Sequence, residues 1–263
     1  EYMNGGVHPH AAGELARGAY EHGEEAYASQ VLKDQIALAK STDDMLLFAY
    51  RGAAHPKRVP AKFQAVALDS LANMDLTSQG APGVPNWMGH SEDGNHMAGL
   101  PVGRQEFASI PYQITDPASN GRKAVVGVSI KPGFAPQLSV PVGRQARTLY
   151  LVHTADSVGE QGVGASLVVR YQDGSRHAVY LTSGKHFAGW WFPGLNSEQA
   201  GVAWRGPNGK SLDVGVSWCA IDNPHPDKVV SELEFKAAET GAVYALVALT
   251  LSDQPHPVKR SMG

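Results

Sequence analysis

The sequence predicts a mainly β fold, an antiparallel jelly-roll or β-sandwich preceded by an α-helical hairpin. Within residues 1–50, apolar side chains recur at helical spacing. From Phe63 to about Asp253, apolar and polar side chains instead alternate in short runs. Gly, Pro and Asn separate these runs and no helical pattern follows them, which is typical of antiparallel sheets. We therefore assign residues 1–55 to the hairpin and residues 56–263 to the sandwich.

Two helices are predicted in the amino-terminal part, over residues 11–22 and 24–40. Gly23 lies between them and suits a helix C-cap, because glycine readily adopts the left-handed conformation that ends a helix. Two helices bury too little apolar surface to be stable alone. We therefore expect a neighbouring surface to cover the hairpin, either the sandwich or another copy of the chain.

About ten short strands are predicted beyond the Pro-rich, basic residues 56–60. Asp173-Gly174 lies between two alternating runs and indicates a hairpin. Two long segments without alternation, residues 73–103 and 157–163, are predicted to be loops, and long loops often carry function. The predicted strands are residues 63–68, 123–131, 147–153, 166–171, 177–182, 202–204, 212–220, 229–235 and 243–251.

The composition excludes several classes of protein. The formal net charge is −3, so nothing indicates a nucleic-acid partner, which usually requires a basic excess. No apolar run approaches the about 20 residues of a membrane span, and we expect no membrane partner. The single cysteine, Cys219, excludes an internal disulfide, and its alternating surroundings indicate a small buried hydrophobe.

Trp87 is the main candidate for an exposed sugar-binding platform. Aromatic faces pack on the C–H side of a sugar ring, while amides and carboxylates bind the hydroxyl groups. Trp87 lies in the predicted loop 73–103, and four polar side chains follow it there: His90, Asp93, Asn95 and His96. We therefore predict that this loop contacts carbohydrate.

Trp190 is a second aromatic candidate for carbohydrate binding. Trp190 and Trp191 are adjacent, so their side chains should point to opposite faces, one buried and one outward. Trp204 and Trp218 lie within alternating apolar runs and are expected in the core.

Metal binding is a weaker interpretation of the same polar residues. His8 and His10 flank Pro9, and His90 and His96 flank Asp93, but neither group has the four ligands of a zinc site. Hydrogen-bonded loop side chains explain both groups better. A structural calcium is possible at one further set, although turn formation is again the better explanation: Asp116, Asn120, Asp222 and Asn223. No other cofactor is expected.

Several motifs of the sandwich resemble the jelly-roll module found behind the catalytic domains of bacterial glycosidases. They include Leu100-Pro101-Val102-Gly103, Ile110-Pro111-Tyr112-Gln113-Ile114, Gly189-Trp190-Trp191-Phe192-Pro193 and Asp222-Asn223-Pro224-His225-Pro226. The resemblance covers most of residues 63–253. It implies an accessory module of a polysaccharide-degrading enzyme, with an extracellular or periplasmic location.

The amino-terminal segment resembles the closing hairpin of an (α/α)6-barrel glycosidase or sugar phosphorylase. The resemblance rests on Asn4-Gly5-Gly6 followed by His8, His10 and an Ala-rich helix. It implies that Asn4, His8 and His10 lie at the mouth of a barrel, where they would contact carbohydrate. The other barrel helices and their catalytic carboxylates are absent from this sequence, so the resemblance implies a carboxy-terminal region of such an enzyme.

Two functional hypotheses follow, and a purely structural module is a third. The first is a carbohydrate-associated accessory region that braces a catalytic barrel and is not catalytic alone. The alternative is a small stand-alone glycan-active enzyme, either a glycoside hydrolase or a metal-dependent enzyme, that uses the loops bearing His and acidic residues. Glycoside hydrolysis needs two facing carboxyl groups. Spacing pairs none of the candidate acids convincingly: Glu1, Glu14, Glu92, Asp93 and Glu106.

Overall fold

A computed structural model describes residues 9–42, 60–156 and 158–257 of the chain. The chain divides into two compact units, Glu1–Pro60 and Ala61–Gly263. The first unit contains two helices, and the second contains antiparallel sheets. The predicted fold class, a β-sandwich preceded by a helical hairpin, is confirmed.

The hairpin consists of α1 (Pro9–Glu21) and α2 (Glu25–Thr42). Gly23 has φ +82° and ends α1 in the left-handed conformation predicted for a C-cap. Ala16 and Ala28 are fully buried, whereas the larger apolar side chains of the hairpin stay exposed: Leu15, Tyr20, Tyr27, Leu32 and Ile36. Neither described helix is long and apolar enough to cross a membrane.

Twelve strands follow in the described residues. They are β1 (Phe63–Val66), β2 (Gly103–Phe107), β3 (Ile110–Ile114), β4 (Val126–Val128), β5 (Gln137–Arg144), β6 (Thr148–Asp156), β7 (Val163–Tyr171), β8 (Arg176–Thr182), β9 (Ala200–Gly206), β10 (Val214–Asp222), β11 (Val230–Ala237) and β12 (Val243–Ser252).

Two sheets form the sandwich. The larger one has the order β1-β12-β6-β10-β9, with β4 also paired to β12, and the smaller one has the order β5-β11-β7-β8. Every pairing between these strands is antiparallel, and the chain crosses repeatedly from one sheet to the other, as in a jelly roll. The turn predicted at Asp173-Gly174 joins β7 and β8, with Gly174 at φ +84°.

The sequence pattern did not indicate the hairpin of β2 and β3. Phe107 pairs with Ile110, so Ala108 and Ser109 form the two-residue turn, and both have positive φ. Asn-Gly or Asp-Gly normally marks such a turn. Ala-Ser carries no such signal, which is why no strand was predicted in this region.

One apolar core lies between the two sheets. It combines alternate residues of the larger sheet, such as Leu151 and Leu249, with alternate residues of the smaller sheet, such as Leu233 and Phe235. Cys219 is part of this core, as predicted, and burial raises the pKa of its thiol. A buried neutral thiol is not a nucleophile.

A second apolar core lies on the opposite face of the larger sheet. All ten residues of β12 are buried, and those not facing the first core, such as Ala245 and Val247, pack against residues from the segment before β4. That segment contributes Met74, Met97 and Tyr112. The predicted long loop 73–103 therefore covers the sheet as a third layer.

Asp75 fixes the start of this covering layer. Its buried carboxylate accepts hydrogen bonds from the Leu76 N–H at 2.7 Å and the Thr77 hydroxyl at 2.8 Å. It also forms an ion pair with Arg122, whose Nη2 atom lies 2.7 Å away. Several charge-assisted bonds to one buried carboxylate make this anchor geometrically specific.

His153 forms a buried polar network within the sandwich. Its Nε2 atom lies 3.0 Å from the His186 carbonyl oxygen, and its Nδ1 atom lies 2.8 Å from the Tyr244 hydroxyl. A carbonyl only accepts, so Nε2 carries the proton and Nδ1 accepts from Tyr244. The ring is fully buried and neutral, and burial lowers its pKa from 6.5 to about 3.

We expect His153 to make the sandwich sensitive to acid. The unfolded chain binds a proton near pH 6.5 and the folded chain only near pH 3, so this stability is present above pH 6.5 and is lost as the pH falls. The loss between pH 7 and pH 5 should be about 2 kcal/mol. Urea unfolding at both pH values measures it. His153→Gln, which can form both hydrogen bonds, should reduce this loss, and an unchanged pH dependence in that variant would contradict the assignment.

Candidate functional site

The most developed polar cluster outside the core is centred on Asp156, the last residue of β6. Its Oδ1 atom accepts a hydrogen bond from Trp190 Nε1 at 3.2 Å. Its Oδ2 atom lies 2.9 Å from His90 Nε2. One carboxylate therefore fixes a tryptophan that precedes β9 and a histidine from the covering layer. The ring centroids of His90 and Trp190 lie 5.9 Å apart.

The hydrogen-bond pattern determines which nitrogen of His90 is available. With Asp156 ionised, the carboxylate only accepts, so the proton of a neutral His90 ring lies on Nε2. Its Nδ1 atom is then an acceptor on a side chain that is 36% exposed. The Asp156 side chain itself is only 18% exposed. The pair therefore presents an oriented imidazole at the surface, supported from below by the carboxylate.

Aromatic side chains lie next to this pair in space or in sequence. Trp190 is buried and packs edge-on against Trp191, with ring centroids 4.8 Å apart. Trp191 is partly exposed, and Phe192, which follows it, is 79% exposed. Phe134 is partly buried beside Gly89, the neighbour of His90. We call His90, Phe134, Trp191 and Phe192 the aromatic patch.

The segment carrying His90 is attached to the turn between β9 and β10. Lys210 Nζ lies 2.7 Å from Glu92 Oε2, and this hydrogen bond and charge lower the pKa of Glu92. The Gly209 N–H donates to the Gly94 carbonyl at 3.2 Å. A Cβ atom on Gly209 would lie only 2.6 Å from Gly94 Cα, so the close approach requires glycine.

The prediction that Trp87 forms an exposed platform is wrong. Its side chain is fully buried, and its ring packs edge-on against Trp190 at 6.0 Å. Trp87 begins a short 3-10 turn that contacts β12. The backbone N–H of Trp87 donates to the Thr77 carbonyl at 2.8 Å. The outer face of β12 needs an apolar cover, and this large ring provides it.

The other residues predicted in the loop do not form one site. Asp93 is exposed, and the partly buried Asn95 has an Oδ1 atom without a hydrogen-bond partner in the described residues. His96 is partly buried and accepts the Ala98 N–H on Nδ1 at 3.4 Å. Only His90 joins the aromatic patch.

The predictions for the tryptophans are confirmed in part. Trp190 is buried and Trp191 is partly exposed, so the two differ as expected. Trp190 thus orients Asp156 and offers no open sugar-binding face. Trp204 and Trp218 pack against the second core but are only partly buried.

The predicted barrel-mouth residues lie in the hairpin unit. Asn4 and His8 are outside the described residues. His10 lies in the first turn of α1 and is exposed. Glu14, one of the candidate acids, forms an ion pair with Arg17 at 3.0 Å.

The four residues considered for calcium have other partners. Among the described residues, no three His, Cys, Asp or Glu side chains are grouped closely enough to hold a metal ion. Asp116 accepts the Ala118 N–H at 2.9 Å, Asn120 donates to the Lys123 carbonyl at 3.0 Å, and Asn223 accepts the His225 N–H at 3.1 Å. These contacts confirm the turn interpretation for three of the four side chains considered for calcium. The fourth, Asp222, lies 3.4 Å from the Thr148 hydroxyl.

Asp156 and Phe192 were missed as candidates from the sequence. Asp156 is 66 residues from His90 in the chain, so no spacing rule connects them. Phe192 lies in the run Gly189-Trp190-Trp191-Phe192-Pro193, whose three consecutive aromatic residues were a usable signal, since a single strand face cannot bury all of them.

Comparison with known proteins does not identify a family. No protein-family model matches the chain, and no curated protein matches it.

We expect Gly209→Ala to detach the segment carrying His90 from the β9–β10 turn. The added methyl group would meet the Gly94 backbone, and overpacking of this kind usually destabilises by about 1–3 kcal/mol. Thermal melting should show the loss, and hydrogen exchange should increase at residues 90–98. Gly194→Ala is the matched control, because a Cβ atom there meets nothing within 4 Å. Equal effects of the two variants would contradict the attachment.

Proposed function

We propose that the chain is a carbohydrate-associated accessory region of a glycoside hydrolase and that its sandwich binds glycan through the aromatic patch. The observation that supports this most is Phe192, which is 79% exposed and directly follows the partly exposed Trp191 in sequence. Aromatic faces with a few fixed polar groups are the usual composition of sugar-binding surfaces. Trp191 and Phe192 would contact the ring, and His90 would accept a hydroxyl hydrogen bond.

The chemistry of the cluster favours binding over catalysis. Retaining and inverting glycosidases generally use two opposed carboxyl groups. Both oxygens of Asp156 already bind His90 or Trp190, so this carboxylate is occupied as a structural acceptor. Cys219 is buried and neutral. These features support a module that is not catalytic by itself.

Phe192→Ala should weaken glycan binding without unfolding the sandwich. The side chain is mostly exposed, so its removal takes little from the core, whereas a stacked sugar would lose its apolar contact. A loss of about 1–2 kcal/mol corresponds to roughly 5- to 30-fold weaker binding. Affinity electrophoresis on a panel of soluble polysaccharides, followed by calorimetry on any that binds, measures the change.

Tyr180→Ala is the matched control for this experiment. Tyr180 is 66% exposed and lies on β8, at the edge of the smaller sheet and away from the patch. It should leave binding unchanged. No binding to any polysaccharide, or equal losses in both variants, would contradict the role of the patch.

Incubating the purified chain with the same glycans, with and without added divalent metal, separates the accessory function from a stand-alone enzyme. The proposal expects no release of shorter sugars under either condition. Sustained product release that disappears in Asp156→Asn would instead favour the enzyme.

The hairpin supports the second part of the proposal, which is that the chain packs against a catalytic barrel and stabilises it. Three of its apolar side chains are about half exposed: Leu15 at 51%, Tyr27 at 52% and Ile36 at 55%. Ile36 also shares one face of α2 with Leu32, which is 37% exposed, because the two are four residues apart, and exposed apolar side chains on one helix face indicate a surface that packs against further helices. We propose that a catalytic barrel covers this surface, or another copy of the chain where no barrel is present.

The purified chain should therefore self-associate through the hairpin. Sedimentation equilibrium should give a mass above 28.0 kDa that falls to the monomer in Ile36→Glu, because a charge placed in an apolar interface is unfavourable. Lys33→Glu, on the same helix at an exposed charged position, is the control. A monodisperse monomer for the unaltered chain would contradict this prediction.

A further inference from the structure

A cleft of about 240 Å3 lies at the end of the sandwich opposite the aromatic patch. Gln145 and Arg147 line it from the β5–β6 connection, Pro226 and Asp227 from the β10–β11 connection, and Asp253 from the end of β12. β6 begins at Thr148 beside the cleft and ends at Asp156. The two places are therefore about 25 Å apart along one strand.

The walls of the cleft are held in place by a buried amide. Asn223 is 5% exposed, and its Nδ2 atom donates to the Ala146 carbonyl at 2.7 Å. Its Oδ1 atom accepts from the Tyr171 hydroxyl at 2.5 Å, and its N–H donates to the Arg147 carbonyl at 2.9 Å. These bonds join the two connections from below, and a hydrogen bond from Gln145 Nε2 to the Asp227 carbonyl joins them at the surface.

Two charged side chains of the cleft have no partner. Arg147 and Asp227 are exposed and line the same cleft, yet neither side chain forms a hydrogen bond or ion pair with any described residue. Asp253 uses one carboxylate oxygen to accept the Lys62 N–H at 2.8 Å. The cleft therefore presents a free guanidinium donor and free carboxylate acceptors within one small volume.

This set of groups selects the class of ligand. The two carboxylates repel a free anion, and the guanidinium repels a free cation. A ligand with adjacent hydroxyl groups suits both the carboxylates and the guanidinium, because a hydroxyl donates to a carboxylate and accepts from a guanidinium. Pro226 and the buried Ala146 supply an apolar wall for C–H groups. The volume is below the about 300–1,000 Å3 of drug-sized pockets, so it suits one sugar ring.

We propose that this cleft is a second binding site, which takes a single neutral sugar residue with adjacent hydroxyl groups. Arg147 and Asp227 bind the hydroxyls, and the sugar ring lies against Pro226. This inference rests on the proposed function in one respect, which is that the ligand is a sugar and not another polyhydroxylated molecule. The site itself does not depend on the aromatic patch.

Titration of the full chain with glucose, galactose, mannose, xylose and arabinose tests the proposal. Nuclear magnetic resonance should show shifts of the amide signals of residues 145–147, 227 and 253 with at least one sugar. Arg147→Gln and Asp227→Asn should each weaken that binding about tenfold or more. Arg176→Gln, an exposed arginine on β8, is the matched control and should have no effect.

The outcomes separate this site from the aromatic patch. Phe192→Ala should leave monosaccharide binding unchanged, and Arg147→Gln should leave binding at the patch unchanged. The proposal is overturned if no sugar shifts these signals, or if the shifts survive both cleft variants. It is also overturned if glycine or glutamate binds there and sugars do not, since the cleft then selects a zwitterion.

Discussion

The structure of the sandwich depends on the need to cover both faces of its larger sheet. β12 is buried along its whole length, and β6 is buried from Thr148 to Ala155. One face of these central strands packs against the smaller sheet and the other against the segment between β1 and β4. An uncovered second face would expose apolar side chains from several adjacent strands, which soluble monomers rarely tolerate.

This constraint explains why the large aromatic residues of the covering segment are unavailable for ligands. Trp87 and Tyr112 are fully buried in the second core. Polar anchors position the segment that carries them: the carboxylate of Asp75 binds Arg122, and Glu92 binds Lys210. The side chains that remain accessible are those at the margins of the covering segment, where it meets the ends of strands.

The two candidate sites share this location at strand ends. Asp156 ends β6 and orients His90 within the aromatic patch. Arg147 precedes β6 at the opposite end of the same strand and lines the cleft. A rigid, doubly covered strand thus supports polar groups at both ends, where the backbone leaves the core and side chains reach solvent. Strand ends of this kind hold functional groups more accurately than long loops do.

The sequence by itself determined the class of fold, the helical hairpin with its Gly23 cap, and the turns at Asp173-Gly174, Asp116 and Asn223, because local periodicity and turn chemistry specify these features. It also contained a sign of the second core: β12 is almost continuously apolar, as expected for a strand buried on both faces. β5 was missed because Pro141 within the run argues against a strand, although Leu138, Val140 and Val142 alternate along it. Only the tertiary structure decided which tryptophans are buried and which distant side chains meet. His90 and Asp156 are joined by sheet packing across 66 residues, and no local pattern encodes a contact that depends on how the chain folds between them.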